Sequence, residues 1–287
     1  MQILKADNLA CPLDGAPFGP YGKTLRCANG HSFDEARQGY VHLLPVQHKK
    51  SREPGDSVAM VEARSRFLDA GFYRPLAERL NALALQHLPP SEHLCVVDAG
   101  CGEGYYLVNF LAALRHLRET ASASASLIGL DIAKPAIVAA ARRNKQITWL
   151  VASNRNPALL PASVDMIICM FGFPDFAAFR HILKPHGVVL LVDAGSEHLL
   201  ELREVIYPEV RKSPPPSLAK AAQHGFALQQ TSELRYLSDT LNRQQIADLL
   251  QMTPHLYRAT HEGKQAAAQL EHIRLTVDVV FRLLKAT

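Results

Sequence analysis

From residue 58 onward, the apolar positions switch between two spacings. In VAMVEARSRFLDAG they recur about every 3.6 residues and stop at Gly71, which predicts a helix. PLAERLNALALQHL continues in the same way as a second helix. LCVVDAG is a short apolar run closed by glycine, the pattern of a strand buried on both faces. A helix is predicted from about Gly104 to Leu117, then a strand at LIGLD, a helix at KPAIVAAARRN and a strand at ITWLV. VDMIICMF reads as a fourth strand, Phe176 to Leu183 as a helix, and VVLLVDA as a fifth strand. The tail, LEHIRLTVDVVFRLL, is rich in β-branched residues and reads as a late strand of the same domain. Strands alternating with helices predict an α/β fold, with a parallel sheet, right-handed crossovers and helices on both faces.

Residues 1–45 lack helical periodicity and are rich in Gly, Pro and Cys. So small a module buries little core and is expected to need a staple such as a metal. Residues 46–57, VQHKKSREPGDS, read as a basic linker to a main domain spanning 58–287. ETASASAS (119–126) reads as a flexible insertion, and SPPPS (213–217) as a stiff exposed segment.

The chain of 287 residues is long enough for one large domain and a small appendage, and 48% hydrophobic content excludes a disordered chain. The apolar runs are too short and too interrupted by charge to span a membrane. Met1 to Ala10 has no long apolar stretch, so a secretory signal is not expected and the cytoplasm is. A formal charge of +4 permits a nucleic-acid partner without requiring one. Basic residues cluster at His48, Lys49, Lys50 and Arg52 and again at Arg142, Arg143 and Lys145; either run could equally be a solvated surface. The five scattered cysteines read as thiols or metal ligands rather than a disulfide framework.

The decisive segment is VVDAGCGEGYY (96–106). A buried strand ends at Asp98, and Gly100, Gly102 and Gly104 follow before a helix, so the backbone can turn tightly and approach a ligand. Asp131, at the tip of LIGLD, is placed to accept hydrogen bonds from the ribose hydroxyls of an adenosine. Dinucleotide binding shares this layout, but the pattern is D-A-G-C-G-E-G rather than G-x-G-x-x-G. Glu103 would also repel a diphosphate while tolerating a cationic cofactor without phosphate. D-A-G-C-G-E-G resembles motif I of class I methyltransferases, which implies S-adenosylmethionine on a Rossmann-like sheet. Beyond the third and fourth strands, Ser153 and Asn154 could bond the adenine edge or cap a turn, and Phe171 and Phe173 could stack on a base or pack in the core.

In the N-terminal module, Cys27-x3-His31 is a plausible metal-ligand pair and Cys11 a third ligand. Asp14 stands where a second cysteine would complete C-x2-C…C-x3-H. Zinc accepts an aspartate oxygen, although Cys and His are its usual structural ligands. The alternative is a degenerate site held by packing alone.

The stretch from Cys27 to Ser57, C-x3-H-S-F-D-x-A-R-x-G-Y-V-H-L-L-P-V-Q-H-K-K-S-R-E-P-G-D-S, resembles the RlmA-type 23S ribosomal RNA guanine-N1 methyltransferases. So do F-L-D-A-G-F-Y-R-P-L (67–76) and L-L-Q-M-T-P (249–254). The resemblance covers nearly the whole chain. It implies methylation of N1 of a guanine in a stem-loop of 23S ribosomal RNA, a zinc-ribbon-like module that contacts RNA, and a homodimer. It implies zinc ligands at Cys11, Asp14, Cys27 and His31, and cofactor contacts at Tyr73, Gly102, Glu103 and His198. The sequence departs from the family at Asp14, where the family has cysteine, and in MFGFPDF after the fourth strand.

Guanine N1 must lose its proton to attack the methyl group, and Asp165, Asp175 and His198 are candidate bases that spacing does not separate. A base in a stem-loop must also be unstacked into the pocket. Two rival readings are a small-molecule S-adenosylmethionine-dependent methyltransferase and a non-catalytic RNA-binding regulator. The basic metal-type module opposes the first. The intact loop from Asp98 to Gly104, with Asp131, opposes the second.

Overall fold

The computed structural model describes residues 1–20, 22–49, 51–117 and 124–287. The chain opens with four short strands, β1 (Gln2–Leu4), β2 (Thr24–Arg26), β3 (Ser32–Asp34) and β4 (Tyr40–His42). Two helices follow, α1 (Val58–Asp69) and α2 (Arg74–Gln86). Ser57 caps the first by accepting from the Met60 amide at 3.3 Å, and Gly71 ends it in the left-handed region at φ 88°. The alternating region then runs β5 (His93–Ala99), α3 (Tyr105–Leu117), β6 (Ser124–Asp131), α4 (Lys134–Arg143), β7 (Thr148–Val151), β8 (Val164–Met170), α5 (Phe176–Ile182) and β9 (Leu183–Ala194). The remainder holds α6 (Leu200–Ile206), α7 (Ala219–Gln223), β10 (Phe226–Leu237), β11 (Leu241–Asn242), α8 (Arg243–Met252), α9 (His255–Arg258), α10 (His261–Gln269), β12 (His272–Ile273) and β13 (Thr276–Ala286).

The main sheet has the order β10-β13-β9-β8-β5-β6-β7-β4. Strands β4 to β9 within it are parallel, as the alternating pattern predicts. The tail strand β13 instead lies antiparallel between β9 and β10, so the sheet is mixed. The sequence pattern did not single out β10. Its residues alternate between half-buried and exposed, so no continuous apolar run marks it.

The N-terminal residues are not set apart from this sheet. β1 pairs in parallel with Ser124–Ser126 of β6, and β4 pairs in parallel with Trp149–Val151 of β7. Leu9, Leu25, Val41 and Leu43 share one buried cluster with Cys95, Val97, Ile128 and Leu150. The boundary expected at residue 45 is therefore not a boundary in the core. Of the expected flexible insertion, residues 119–123 lie outside the described residues, and 124–126 open β6. Lys50 of the linker is likewise outside them. SPPPS is mostly exposed, as expected. Among the described residues, no helix is long and apolar enough to cross a membrane.

A chain beginning at residue 46 would lose two strands of the sheet and uncover Cys95, Val97 and Ile128. We expect such a truncation to lose the cooperative unfolding transition of the full chain. Thermal melts followed by circular dichroism would show this, and an unchanged melt would mean that residues 1–45 are a separable domain.

Candidate functional site

The loop after β5 turns through Gly100 (φ 88°), Gly102 (φ 55°) and Gly104 (φ 84°), a left-handed run that side chains resist. It is tied back to β6, because the Gly100 and Cys101 amides both donate to the Leu130 carbonyl at 2.9 and 3.0 Å. The Gly102 amide donates to Asp131 Oδ2 at 3.0 Å, and the Ala133 amide to Asp131 Oδ1 at 2.8 Å. A Cβ on Gly104 would lie 2.7 Å from the Trp149 ring, whereas one on Gly100 would meet nothing within 4 Å. The loop is thus seated hard on its inner side and open on its outer side.

Three carboxylates gather around it. Asp98 is buried and its Oδ1 has no hydrogen-bond partner. Burial, reinforced by the Asp131 and Glu103 charges, pushes its pKa up to about 8. Glu103 is buried with its Oε1 3.6 Å from Arg143 Nη2, an ion-pair distance too long for a hydrogen bond. Burial raises its pKa against the pull of Arg143. Asp131 is also raised by burial, opposed by the two amides it accepts from. Such a cluster favours a cationic partner, which would relieve the like-charge repulsion.

Tyr73 and His198 meet, with the phenol oxygen 3.2 Å from His198 Nε2. The Asp278 amide donates to His198 Nδ1 at 3.3 Å. That bond assigns the hydrogen to Nε2, which donates to Tyr73 and leaves the Tyr73 hydroxyl hydrogen for another acceptor. Burial lowers the His198 pKa to about 4, so the ring is neutral at neutral pH. The Phe171 ring lies 5.6 Å from the His198 ring. Both Phe171 (φ 48°) and Leu199 (φ 56°) hold left-handed backbone without being glycine, at a cost of about 1–2 kcal/mol each. Strain of this kind is held where the surrounding structure fixes a functional geometry.

The other predicted residues divide. Ser153 Oγ accepts from the Arg155 amide at 3.2 Å in a local turn, whereas Asn154 donates to the Phe173 carbonyl at 3.0 Å and ties the loop after β7 to the loop after β8. Phe171 is 39% exposed and Phe173 90% exposed, so neither is packed in the core. Asp175 caps α5 by accepting from the Ala178 amide at 3.0 Å. Asp165 is removed as a candidate base. It lies at the opposite end of β8 from Met170, about 16 Å away at strand spacing, bonded to the Cys95 amide at 2.8 Å and Lys184 Nζ at 2.7 Å. The sequence reading passed over Arg64. It forms a 2.5 Å ion pair with Asp56, donates to the Met252 carbonyl at 3.0 Å, and lies 3.6 Å from where a Gly102 Cβ would stand. Nothing in its local sequence distinguishes it from the neighbouring Arg66.

Cys11, Asp14, Cys27 and His31 bring one ligand atom each to within 4.8 Å of one another. The two thiols each lie 3.5 Å from His31 Nδ1, and Asp14 Oδ2 lies 3.0 Å from it and 3.7 Å from Cys27 Sγ. Tetrahedral zinc with bonds of about 2.0–2.3 Å holds its ligand atoms about 3.3–3.8 Å apart, so this donor set fits with little movement. Two tight turns carry the pairs: Gly15 (φ 74°) closes one with its amide on Cys11, and Gly30 (φ 86°) closes the other on Cys27. Asp14 is oriented by the Ala16 amide at 3.0 Å and Asn29 at 2.9 Å, as a ligating carboxylate needs.

A family model described as RlmA, N-terminal, matches residues 9–52, and one described as Methyltransferase domain matches residues 96–187. YxjB of Bacillus subtilis (strain 168), assigned as a 23S rRNA (guanine-N(1)-)-methyltransferase, is 30% identical over 274 residues, covering 94% of each chain. The 23S rRNA (guanine(748)-N(1))-methyltransferase of Streptomyces fradiae is 37% identical over 199 residues, covering 69% of this chain and 67% of its own.

The unfolded chain ionises Asp98 near pH 4, whereas the folded chain keeps its proton to about pH 8. Between those values the unfolded state binds fewer protons, so this group makes stability fall as pH rises. Between pH 7 and 8, above the range in which His198 titrates, Asp98→Asn should flatten the decline in urea midpoint. Equal slopes in the two proteins would show that Asp98 is ionised in the fold.

Proposed function

This chain belongs to the 23S rRNA (guanine-N1)-methyltransferase family, and on that footing we propose that it transfers a methyl group from S-adenosylmethionine to N1 of a guanine in 23S ribosomal RNA. The observation that carries the cofactor half is the left-handed glycine loop with three carboxylates about it, one oxygen of Asp98 unpartnered. A sulfonium cofactor supplies an already activated methyl group and needs in-line placement more than acid catalysis. Asp131 would hold the ribose, since each of its oxygens accepts one amide and keeps a lone pair. Gly100, Gly102 and Glu103 line the loop, Asp98 would ionise against the methionine ammonium once that cation is beside it, and Arg64 offers counter-charge to a carboxylate. Ser153 and Asn154 border the adenine side.

Tyr73 and His198 work as a pair. His198 is a poor base because Nδ1 is occupied and Nε2 carries the hydrogen; its part is to orient the Tyr73 hydroxyl as a donor. Phe171 and the exposed Phe173 offer stacking surface to an unstacked guanine. Residues 1–45 would act as the RNA-contacting module, 46–57 as its basic link and 58–287 as the catalytic body. Zinc would be held by Cys11, Asp14, Cys27 and His31, and the enzyme would work as a cytoplasmic homodimer.

Tritiated methyl from the cofactor should enter 23S ribosomal RNA taken from a strain lacking the modification, and map to guanine N1. Label in small-molecule extracts alone, or nowhere, would refute the reading. Protein purified without chelator should carry one zinc per chain by elemental analysis, and Cys27→Ser should lose it. A metal content well under one would leave the cluster without a metal. Asp14→Cys should tighten the site, because a thiolate is a softer ligand for zinc than a carboxylate.

A further inference from the structure

A cavity of about 690 Å³ lies away from the glycine loop. Ile137, Ala140 and Ala141 of α4 are buried in the core beside the sheet, and Ala136 against Val61 of α1. The opposite face of α4, from Lys134 through Val138 to Arg142, walls the cleft. The other wall is the linker from Lys49 to Val58, and the ends of β4 and β7 close the floor at His42 and Val151. The linker wall is pinned in place. Gly55 (φ 84°) lies so close that a Cβ there would be 2.6 Å from the Ala133 Cβ, and Asp56 is held by Arg64 at 2.5 Å. The cleft is therefore part of the fold, within the size range of ligand sites.

Its charge is lopsided. Lys49, Arg52, Lys134 and Arg142 all line it, and none of them forms an ion pair among the described residues. Of the three carboxylates at the rim, Asp56 is engaged by Arg64, leaving Glu53 and Glu62. Burial, with the Lys49 and Lys134 charges, lowers the pKa of His42 on the floor, as cations facing it from both walls would. Between the cations the lining is apolar, with Ile132, Pro135 and Val138. Cations around an apolar floor suit a nucleotide, whose phosphate is anionic and whose base is flat and apolar on its faces.

We propose that this cleft holds a nucleotide of the ribosomal RNA next to the target stem-loop, its phosphates on Lys49, Arg52, Lys134 and Arg142 and its base against Val138. The inference rests on the proposed function and adds a second grip on the same substrate. The placement agrees. Ile132 follows Asp131 directly, and β7 lies three strand spacings, about 15 Å, from β8, where Phe171 stands. A few nucleotides bridge that distance. Both basic runs of the sequence then serve one surface, through Lys49 and Arg52 on one wall and Arg142 on the other.

The test is binding of a labelled 23S rRNA stem-loop fragment by fluorescence anisotropy across a salt series. The double variant Lys134→Ala/Arg142→Ala alters exposed side chains and should bind the RNA at least tenfold more weakly. Its log–log salt slope should fall by about 1.4–1.8, because two phosphates are no longer neutralised. Calorimetric affinity for S-adenosylhomocysteine, zinc content and thermal midpoint should stay as in the unaltered protein. Val138→Trp, which fills the cleft from the α4 wall without changing charge, should also weaken RNA binding, and with a smaller change in slope. Unaltered RNA affinity in both variants, while the parent protein binds and methylates the fragment, overturns the inference alone. An equal loss of S-adenosylhomocysteine affinity also overturns it, by giving the cleft to the cofactor's adenosine. A parent protein that neither binds nor methylates the RNA overturns the proposed function and this inference with it.

Discussion

One indole ring sets how close the glycine loop can come to the sheet. Trp149, the only tryptophan, is fully buried, and its Nε1 donates to the Asn144 carbonyl at 2.7 Å. Its ring fills the space that two glycines leave open. A Cβ on Gly129 would overlap the ring outright, and one on Gly104 would stand 2.7 Å from it. With β6, the loop and α4 all packed on the same ring, the Leu130 carbonyl and the Asp131 carboxylate reach the loop amides. The carboxylate cluster depends on that approach, because it places Asp98, Glu103 and Asp131 within range of one another's charge.

The same segment divides charge of opposite sign between two places. The carboxylates gather under the loop, where burial disfavours their ionised forms. Lys134 and Arg142 on the outer face of α4, with Lys49 and Arg52 of the linker opposite them, line the cleft on the side turned away from the sheet. A cationic cofactor and an anionic polymer can then be attracted at once without competing for the same surface. Arg143, beside Arg142 in sequence, belongs to the other side, bonded to Asp69 at 2.7 Å and facing Glu103.

What the sequence disclosed was what local spacing can encode. The strands carrying Asp98 and Asp131, the helices around them and the four metal-type residues all follow from short patterns. Strands β1 and β4 did not, since three residues each carry no usable period and their partners lie far along the chain. Asp131 was expected to face a ribose; that it also anchors the loop through the Gly102 amide is a contact between distant segments. Asp165 was drawn in as a base by residue type alone, and only its position at the far end of β8 excludes it. Phe171 could be named from sequence, but its left-handed backbone could not.

The interleaving of the N-terminal strands has a consequence during synthesis. Gln2 pairs with Ser124 and Tyr40 with Trp149, so each early strand must wait for more than about a hundred further residues before its partner exists. At a translation rate of about 5–20 residues per second, that delay is on the order of 5–20 s. The two turns that bring Cys11, Asp14, Cys27 and His31 together lie within residues 11–31, and the Gly15 and Gly30 amides that close them donate to the Cys11 and Cys27 carbonyls of the same stretch. A metal captured there would organise the head of the nascent chain while the rest of the sheet was still on the ribosome.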